Sequence, residues 1–393
     1  MRAFPKASKG LSLIEVMVAL LIGTLLMLGL VQVFSASRTA YQLSEGLARA
    51  QENARFAIDI LQRDIRMAGH FGCVNDQAHF VKGEGDPRLN FSSAPAASSA
   101  LDFSISIQGY EAPATAPTGV AGTGRLVLGQ AWEKPADIPA AINDLGVLGG
   151  SDILVLRYLT GQGIPVTTIT TDGANDIVQF TASSAALTAD GVATPQLFGV
   201  ADCTHADVFP GTLSGNTVRS TAPTGLAARY TSQPVGETML YRADSIVYYV
   251  APGASGEPSL WRARANASGA YGQREELVEG IESLQLLYGQ DEVANLSAST
   301  PPKGHVANQN TATGALSGAT TTAARANAWR RVGMVQVGIL ARSPNPAAAT
   351  QAQAADTRYR VLGVDIAPGT TDDRRYRASY EVSVALRNRL FGN

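Results

Sequence analysis

The chain has 393 residues, of which 45% are hydrophobic and only 16% charged, with 39 Gly and 19 Pro. That length leaves room for a sizeable core and about two domains, and the low charge with many small residues suits an exported, β-rich protein with long loops. A formal net charge of −2 excludes nucleic-acid binding through bulk positive charge.

The first element is a short basic leader, MRAFPKASKG, carrying Arg2, Lys6 and Lys9 and no acid. Residues 11–34 follow as one apolar run in which Glu15 is the only charged residue. A helix of this length, at about 1.5 Å per residue, spans a bilayer core. An acid inside it costs about 2.5–3.5 kcal/mol on insertion scales and so needs a partner or a purpose. An ordinary secretory signal would have a shorter apolar core and a small-residue cleavage site such as Ser35-Ala36-Ser37. A plain membrane anchor would explain the length but neither Gly10 nor Glu15. The basic leader keeps the N-terminus cytoplasmic and sends the bulk of the chain across the membrane. A Gly closing a basic leader, with an acid five residues on, resembles the class III signal of type IV pilins and pseudopilins. The resemblance implies cleavage by a prepilin peptidase between Gly10 and Leu11, N-methylation of Leu11, and Glu15 as fifth mature residue.

Helical patterning continues to about residue 68, with no Pro after the leader. Leu43, Leu47, Ala54, Ile58, Leu61 and Ile65 recur at spacings of three, four and seven and mark one apolar face. Glu45 with Arg49, Arg55 with Asp59, and Asp59 with Arg63 are placed to pair on the solvent side. Gly69 is the expected stop. The expectation is one helix of about 55 residues, apolar all round at 11–34 and amphipathic at 35–68, far longer than an ordinary globular helix.

The two cysteines are Cys73 and Cys203. Outside the cytoplasm such a pair is expected to be oxidised, and a bridge closing about 130 residues would stabilise by roughly 4–5 kcal/mol on the chain-entropy model. A zinc site using His70 and His205 with both cysteines is the rival reading, at spacings that fit no common zinc module. Two free thiols are the third.

Residues 75–150 contain the low-complexity, turn-rich runs SSAPAASSA and APATAPTGVAGTG, read as loops. Strands are expected at 101–107, 125–128, 152–159, 166–171 and 177–181, with Cys203 inside 199–215. Residues 239–250 and 259–264 flank APGASGEP and suggest a hairpin. EELVEGIESLQLLY at 275–288 reads as a strand pair or a short helix leading into a strand. The polar stretch 296–325 reads as a mobile surface loop. Alternating strands at 332–342 and 376–386 close the sheet.

With these residues in view the chain resembles the PilW family of type IV pilus minor pilins. ENARFAIDILQRDIRMAGHFGC is similar to the family's helix end and first cysteine, ADCTHADVF to its second cysteine, and LVEGIESLQLLYG and YEVSVALRNR to its late strands. Two departures stand out. Gln32 occupies the place of the helix Pro of many major pilins, leaving Gly23 and Gly29 as flexible or close-packing points. GQDEVANLSAST replaces the acidic, Gly-containing loop of relatives, so no metal role is carried over. The implied fold is α+β and pilin-like: leader 1–10, membrane or filament-core helix half 11–34, amphipathic half 35–68, and a β-rich head 69–393 divided at 235/236.

The implied function is a minor pilin that primes pilus assembly and sits at the tip with other minor pilins, the major pilin and a tip adhesin, serving adhesion and twitching motility. Its further partners would be the prepilin peptidase and the inner-membrane assembly platform. It would lie in the inner membrane with a periplasmic head, then in the extracellular pilus. Glu15 would meet the N-terminal amine of a neighbouring subunit, or its own Leu11 amine. A type II secretion pseudopilin of the J type is the alternative, and a membrane-anchored periplasmic enzyme or binding protein the next. No G-x-S-x-G, P-loop, G-x-G-x-x-G opening a helix or H-E-x-x-H is present, so no catalytic residue, cofactor or metal is expected. His70, His79, His205 and His305 read as turn or surface residues, and Tyr248, Tyr249, Trp261 and Trp329 as core or strand-face residues.

Overall fold

The computed structural model describes residues 10, 12–73, 87–117, 125–128, 130–136, 138–181, 183–297, 299–313, 316, 322–346, 358–367, 373–386 and 388. The leader before Gly10, the Leu11 amine and His79 lie outside them, as do parts of the low-complexity runs.

Helix α1 runs Leu13–Met67, 55 residues without interruption. Ser12 caps it: its hydroxyl accepts from the Glu15 N–H at 3.2 Å, and the Glu15 carboxylate accepts from the Ser12 N–H at 3.0 Å. This reciprocal box satisfies two of the N–H groups that a helix start leaves unpaired. The other end closes where Gly69 turns to φ +75°, a conformation glycine adopts without penalty.

The buried stripe of α1 is Gly46, Ala50, Ala54, Ala57, Leu61, Asp64 and Ile65. It is rotated from the expected face. Leu43 keeps 39% of its surface exposed, and Leu47 and Ile58 are half-buried. Small residues occupy the contact line, so the helix axis can approach the sheets more closely than a row of leucines would allow. Glu45–Arg49 pairs at 2.9 Å as expected, whereas Arg63 turns to the neighbouring Asp64 at 3.2 Å in place of Asp59.

The strands are β1 (Arg88–Leu89), β2 (Ile107–Tyr110), β3 (Arg125–Val127), β4 (Ile153–Leu159), β5 (Ile164–Asp172), β6 (Asn175–Phe180), β7 (Leu197–Ala201), β8 (Ala206–Ser214) and β9 (Thr217–Ser220). There follow β10 (Met239–Pro252), β11 (Pro258–Ala265), β12 (Tyr271–Glu279), β13 (Ile281–Asp291), β14 (Val306–Asn310), β15 (Val332–Arg342), β16 (Tyr359–Val361), β17 (Val364–Ala367) and β18 (Arg377–Ala385). The large sheet runs β1-β8-β9-β6-β5-β10-β11-β12, with β4 and β7 also on β10 and β2 on β4. A second sheet runs β14-β13-β15-β18, and a third, of three strands, β16-β17-β3.

The main core lies where α1 covers the join of the first two sheets. Ala54, Ala57, Leu61 and Ile65 meet Leu156 and Tyr248 from the large sheet and Leu284, Val337 and Ile339 from the second. A separate core of Val166, Val178, Phe180, Phe198, Phe209 and Leu240 fills the outer strands of the large sheet.

The chain passes between sheets at Gly280, resolving the 275–288 segment into two strands that meet at a corner and belong to different sheets. The Gly280 N–H donates to the Pro258 carbonyl at 2.8 Å, and its own carbonyl accepts from the Arg342 N–H at 2.7 Å. Gly280 has φ +80°, and a Cβ there would stand 2.6 Å from the Arg342 carbonyl oxygen.

Two expectations are corrected. Residues 101–106 are not a strand, which begins only at Ile107. The fully buried Arg157 draws the carbonyls of Ser99 (2.7 Å), Ala100 (3.2 Å) and Ile105 (2.6 Å) toward its guanidinium, so those acceptors are not available to a ladder. The 296–325 segment is not simply a surface loop. Within it β14 pairs with β13, and Leu296, Ala312 and Leu316 are buried. A helix, Thr322–Arg330, then carries Trp329 into the core, edge-on to Tyr288 at 5.0 Å. Its sparse apolar anchors are diluted by Ser, Thr, Asn and Gly, which hides the pattern in the sequence.

Candidate functional site: the exposed helix and its anchor

The first half of α1 is exposed along its length among the described residues. It is long and apolar enough to cross a membrane, and none of that window is buried. Leu13 is 80% exposed, Leu26 70% and Phe34 68%. An apolar surface this continuous in water marks a membrane or protein contact. A Cβ added at Gly23 or Gly29 would meet only open space, and the helix runs unbroken through both. Gly10 lies exposed just before the cap. Glu15 sits one turn in, with its Oε2 engaged by Ser12 and its Oε1 taking no hydrogen bond from the described residues.

The second half is braced on the head by a lone acid in its buried stripe. Asp64, 4% exposed, accepts from Arg262 Nη1 at 3.0 Å and from the Tyr248 hydroxyl. The other Arg262 branch reaches Glu275 at 2.9 Å. Burial, then the Asp64 charge, pushes the Tyr248 phenol well above its usual value, so it donates at any physiological pH. Further along, Asn53 Nδ2 donates to the Glu279 carbonyl at 2.9 Å, and Asn388 Nδ2 to the Arg66 carbonyl at 3.1 Å. These polar ties fix the rotation of the helix on the sheets, which apolar packing alone specifies poorly. None was singled out from the sequence. The signal for Asp64 was present, as a carboxylate three residues after Leu61 on the apolar face.

Cys73 and Cys203 are bonded to each other, 130 residues apart in sequence. The bridge is exposed and ties the segment leaving α1 to the β7–β8 turn. That turn is built by Asp202, whose carboxylate accepts the backbone N–H groups of Thr204 (2.7 Å) and His205 (2.6 Å). Partial burial raises the Asp202 carboxyl, but these donors outweigh it and hold it below its ordinary value. With both sulfurs in the bridge, the zinc reading loses its thiolates. His70 is instead occupied with the Leu159 carbonyl, 2.8 Å from Nδ1, and burial lowers its pKa from the usual value. Gly10 and the disulfide therefore stand at opposite ends of α1, roughly 80 Å apart at 1.5 Å per residue.

Residues 5–31 match the family model of the prokaryotic N-terminal methylation motif, and residues 247–388 match that of type IV pilus-assembly protein W. The second match starts within β10 and runs through β18, so it holds the Gly280 corner and the whole second sheet. No curated protein and no solved structure matches the chain. A methylation motif on a membrane-capable helix, joined to a β-rich head whose later strands match the assembly-protein model, makes the chain similar to PilW-type pilins, membrane-anchored structural components of type IV pilus systems.

Proposed function

We propose that this pilin is a minor subunit that primes pilus assembly and stays at the tip, together with other minor pilins and an adhesin displayed by the complex. The reading rests on the apolar half of α1, which lies wholly outside the head yet continues without a break into the half anchored by Asp64. A helix so built can leave the bilayer and enter a bundle of like helices without refolding, and the head then follows as a rigid body. The head is also bulky against a helix about 10 Å across. A subunit of that shape is easily placed once at a filament end and hard to repeat along its length.

Processing would begin with prepilin peptidase cutting between Gly10 and Leu11 and methylation of the Leu11 amine. Glu15 would receive the amine of a neighbouring subunit on Oε1. An opposite charge in an apolar setting offsets the cost of burying either group alone. The head would be periplasmic while the subunit is held in the inner membrane by the assembly platform, and extracellular once it caps major pilin.

Mass spectrometry of the mature N-terminus, with counts of sheared surface pili in a deletion strain, tests this. Methyl-Leu11 and a drop in pilus number with label at tips support it. Label spread evenly along filaments refutes the tip assignment, and an unprocessed Met1 in exported protein refutes the assembly route. A secretion defect with normal pili would instead identify a secretion pseudopilin.

A further inference from the structure

We propose that the head carries a carboxylate-binding cleft, built around Arg264, that takes an acidic sugar of the hexuronate class. The cleft lies between the 191–197 segment and the β11–β12 turn and encloses about 420 Å³, within the size range of small-molecule sites.

Arg264 is 8% exposed, and among the described residues its Nε has no hydrogen-bond partner. Asp244 Oδ2 stands 3.9 Å from Nε and Glu275 Oε2 3.9 Å from Nη1, within ion-pair range but too far for a hydrogen bond. Both are already held by closer cations. Arg242 grips Asp244 with two bonds of 2.9 Å, and Arg262 holds Glu275 at 2.9 Å. Arg242 shares the cleft wall, but its remaining donors are spent on the carbonyls of Leu187 and Ala189 and on Asp190. Arg264 is therefore the one guanidinium of this group left without a hydrogen-bonded acid. A buried cation held only by such distant pairs keeps donors that a ligand can satisfy. A planar carboxylate is the group a guanidinium fork fits best.

The remaining wall suits hydroxyl neighbours. Gln196 and Asn266 spend their amide oxygens on backbone and Ser268 donors, and no hydrogen bond among the described residues uses their NH₂ groups. Gln273 spends its NH₂ on the Gly191 carbonyl, which leaves its oxygen as acceptor. Donors and an acceptor on amide side chains around one guanidinium read a ring bearing both hydroxyls and one acid. The site stands independently of the assembly role and would give the head a surface it can recognise.

Titration of the full-length protein in detergent with D-galacturonate, D-galactose and an acetylated aspartyl dipeptide decides the matter. Galacturonate is expected to bind roughly tenfold or more tightly than galactose, and Arg264→Gln to erase that advantage. Equal affinity for the two sugars, or full affinity in Arg264→Gln, overturns the proposal. Binding of the dipeptide without the uronate would assign the cleft to a protein acid instead and overturn the sugar class. Should Arg264→Gln not fold, Gln196→Trp, which fills the exposed cleft wall, is expected to abolish uronate binding; undiminished binding there overturns it equally.

Discussion

Two acids on one helix are handled in opposite ways. Glu15 is exposed and capped onto Ser12, whereas Asp64 is buried and saturated by Arg262 and Tyr248. Replacing Asp64 by Ala strands a buried guanidinium and a phenol, and should destabilise the head by about 3 kcal/mol or more. Urea unfolding followed by Trp fluorescence will read it, and a change under 1 kcal/mol (about the worth of an exposed pair) would show the cluster to be incidental. Glu15→Ala should leave membrane insertion and head stability unchanged while piliation falls. The cap it removes is worth only about 1 kcal/mol, so normal pili in that variant would discard the amine-pairing role.

At the scale of elements, the Gly280 corner and the disulfide fix how the parts join. Gly280→Ala places a methyl against the Arg342 carbonyl and forces a β-carbon residue to φ +80°. A loss of about 2–3 kcal/mol is expected, measured as the shift of the urea midpoint at constant slope. The Cys73–Cys203 bridge is exposed, so reductant should open it in the folded protein. Loss of a cross-link closing so long a loop should cost about 2–5 kcal/mol, visible as a lower Tm in dithiothreitol that Cys203→Ser reproduces and reductant no longer changes. Helix length, the β10–β11 hairpin and the closing pair β15–β18 were legible because their apolar spacing is regular. The 101–106 coil was not, since Arg157, distant in sequence, claims the Ile105 carbonyl within it and those of Ser99 and Ala100 just before it. The register of α1 was misread for a related reason. Ala54, Leu61 and Ile65 are buried as expected, but the contact line also runs through Gly46, Ala50 and Ala57, which carry little hydrophobic signal yet decide how near two backbones come.

For the whole molecule, the join between the two main sheets carries a titratable lock. Asp152, at the head of β4, accepts the N–H of Ala112 at 2.9 Å and that of Leu286, on the second sheet, at 2.8 Å. Glu111 lies beside it, and Thr115 donates to Glu111 at 3.1 Å. Burial pushes the Glu111 carboxyl up to about 7 and raises Asp152 well above its ordinary value, with the Glu111 charge adding to the latter. A raised carboxyl contributes stability that is full below its unfolded value and is lost as pH rises through the folded one. Stability should therefore decline from about pH 4.5 through pH 7 and beyond, by roughly 3 kcal/mol for Glu111. In the opposite sense, Asp373 is held below its usual value because donation and charge from Arg377 outweigh its burial. Its contribution is present above the ordinary carboxylate value and lost as pH falls through the depressed one. The Glu111 and Asp152 effect draws the stability maximum toward the acid side of neutrality, and the Asp373 effect limits how far. Tm against pH will check this, and Glu111→Gln should flatten the upper limb; an unchanged slope in that variant would remove the lock.

The sequence by itself determined the processing signal, the length of α1, the membrane-capable half and most strands of the head, because each is written in local residue type and short-range spacing. It also supplied both cysteines and the expectation that an exported pair is oxidised, which the Cys73–Cys203 bridge meets. Tertiary structure alone decided the face α1 buries, the anchoring of Asp64, the corner at Gly280 and the distance that keeps Arg264 from hydrogen-bonding its neighbouring acids. Each of these depends on groups far apart in the chain, and no local pattern records which distant donor, carbonyl or thiol will arrive beside a given side chain.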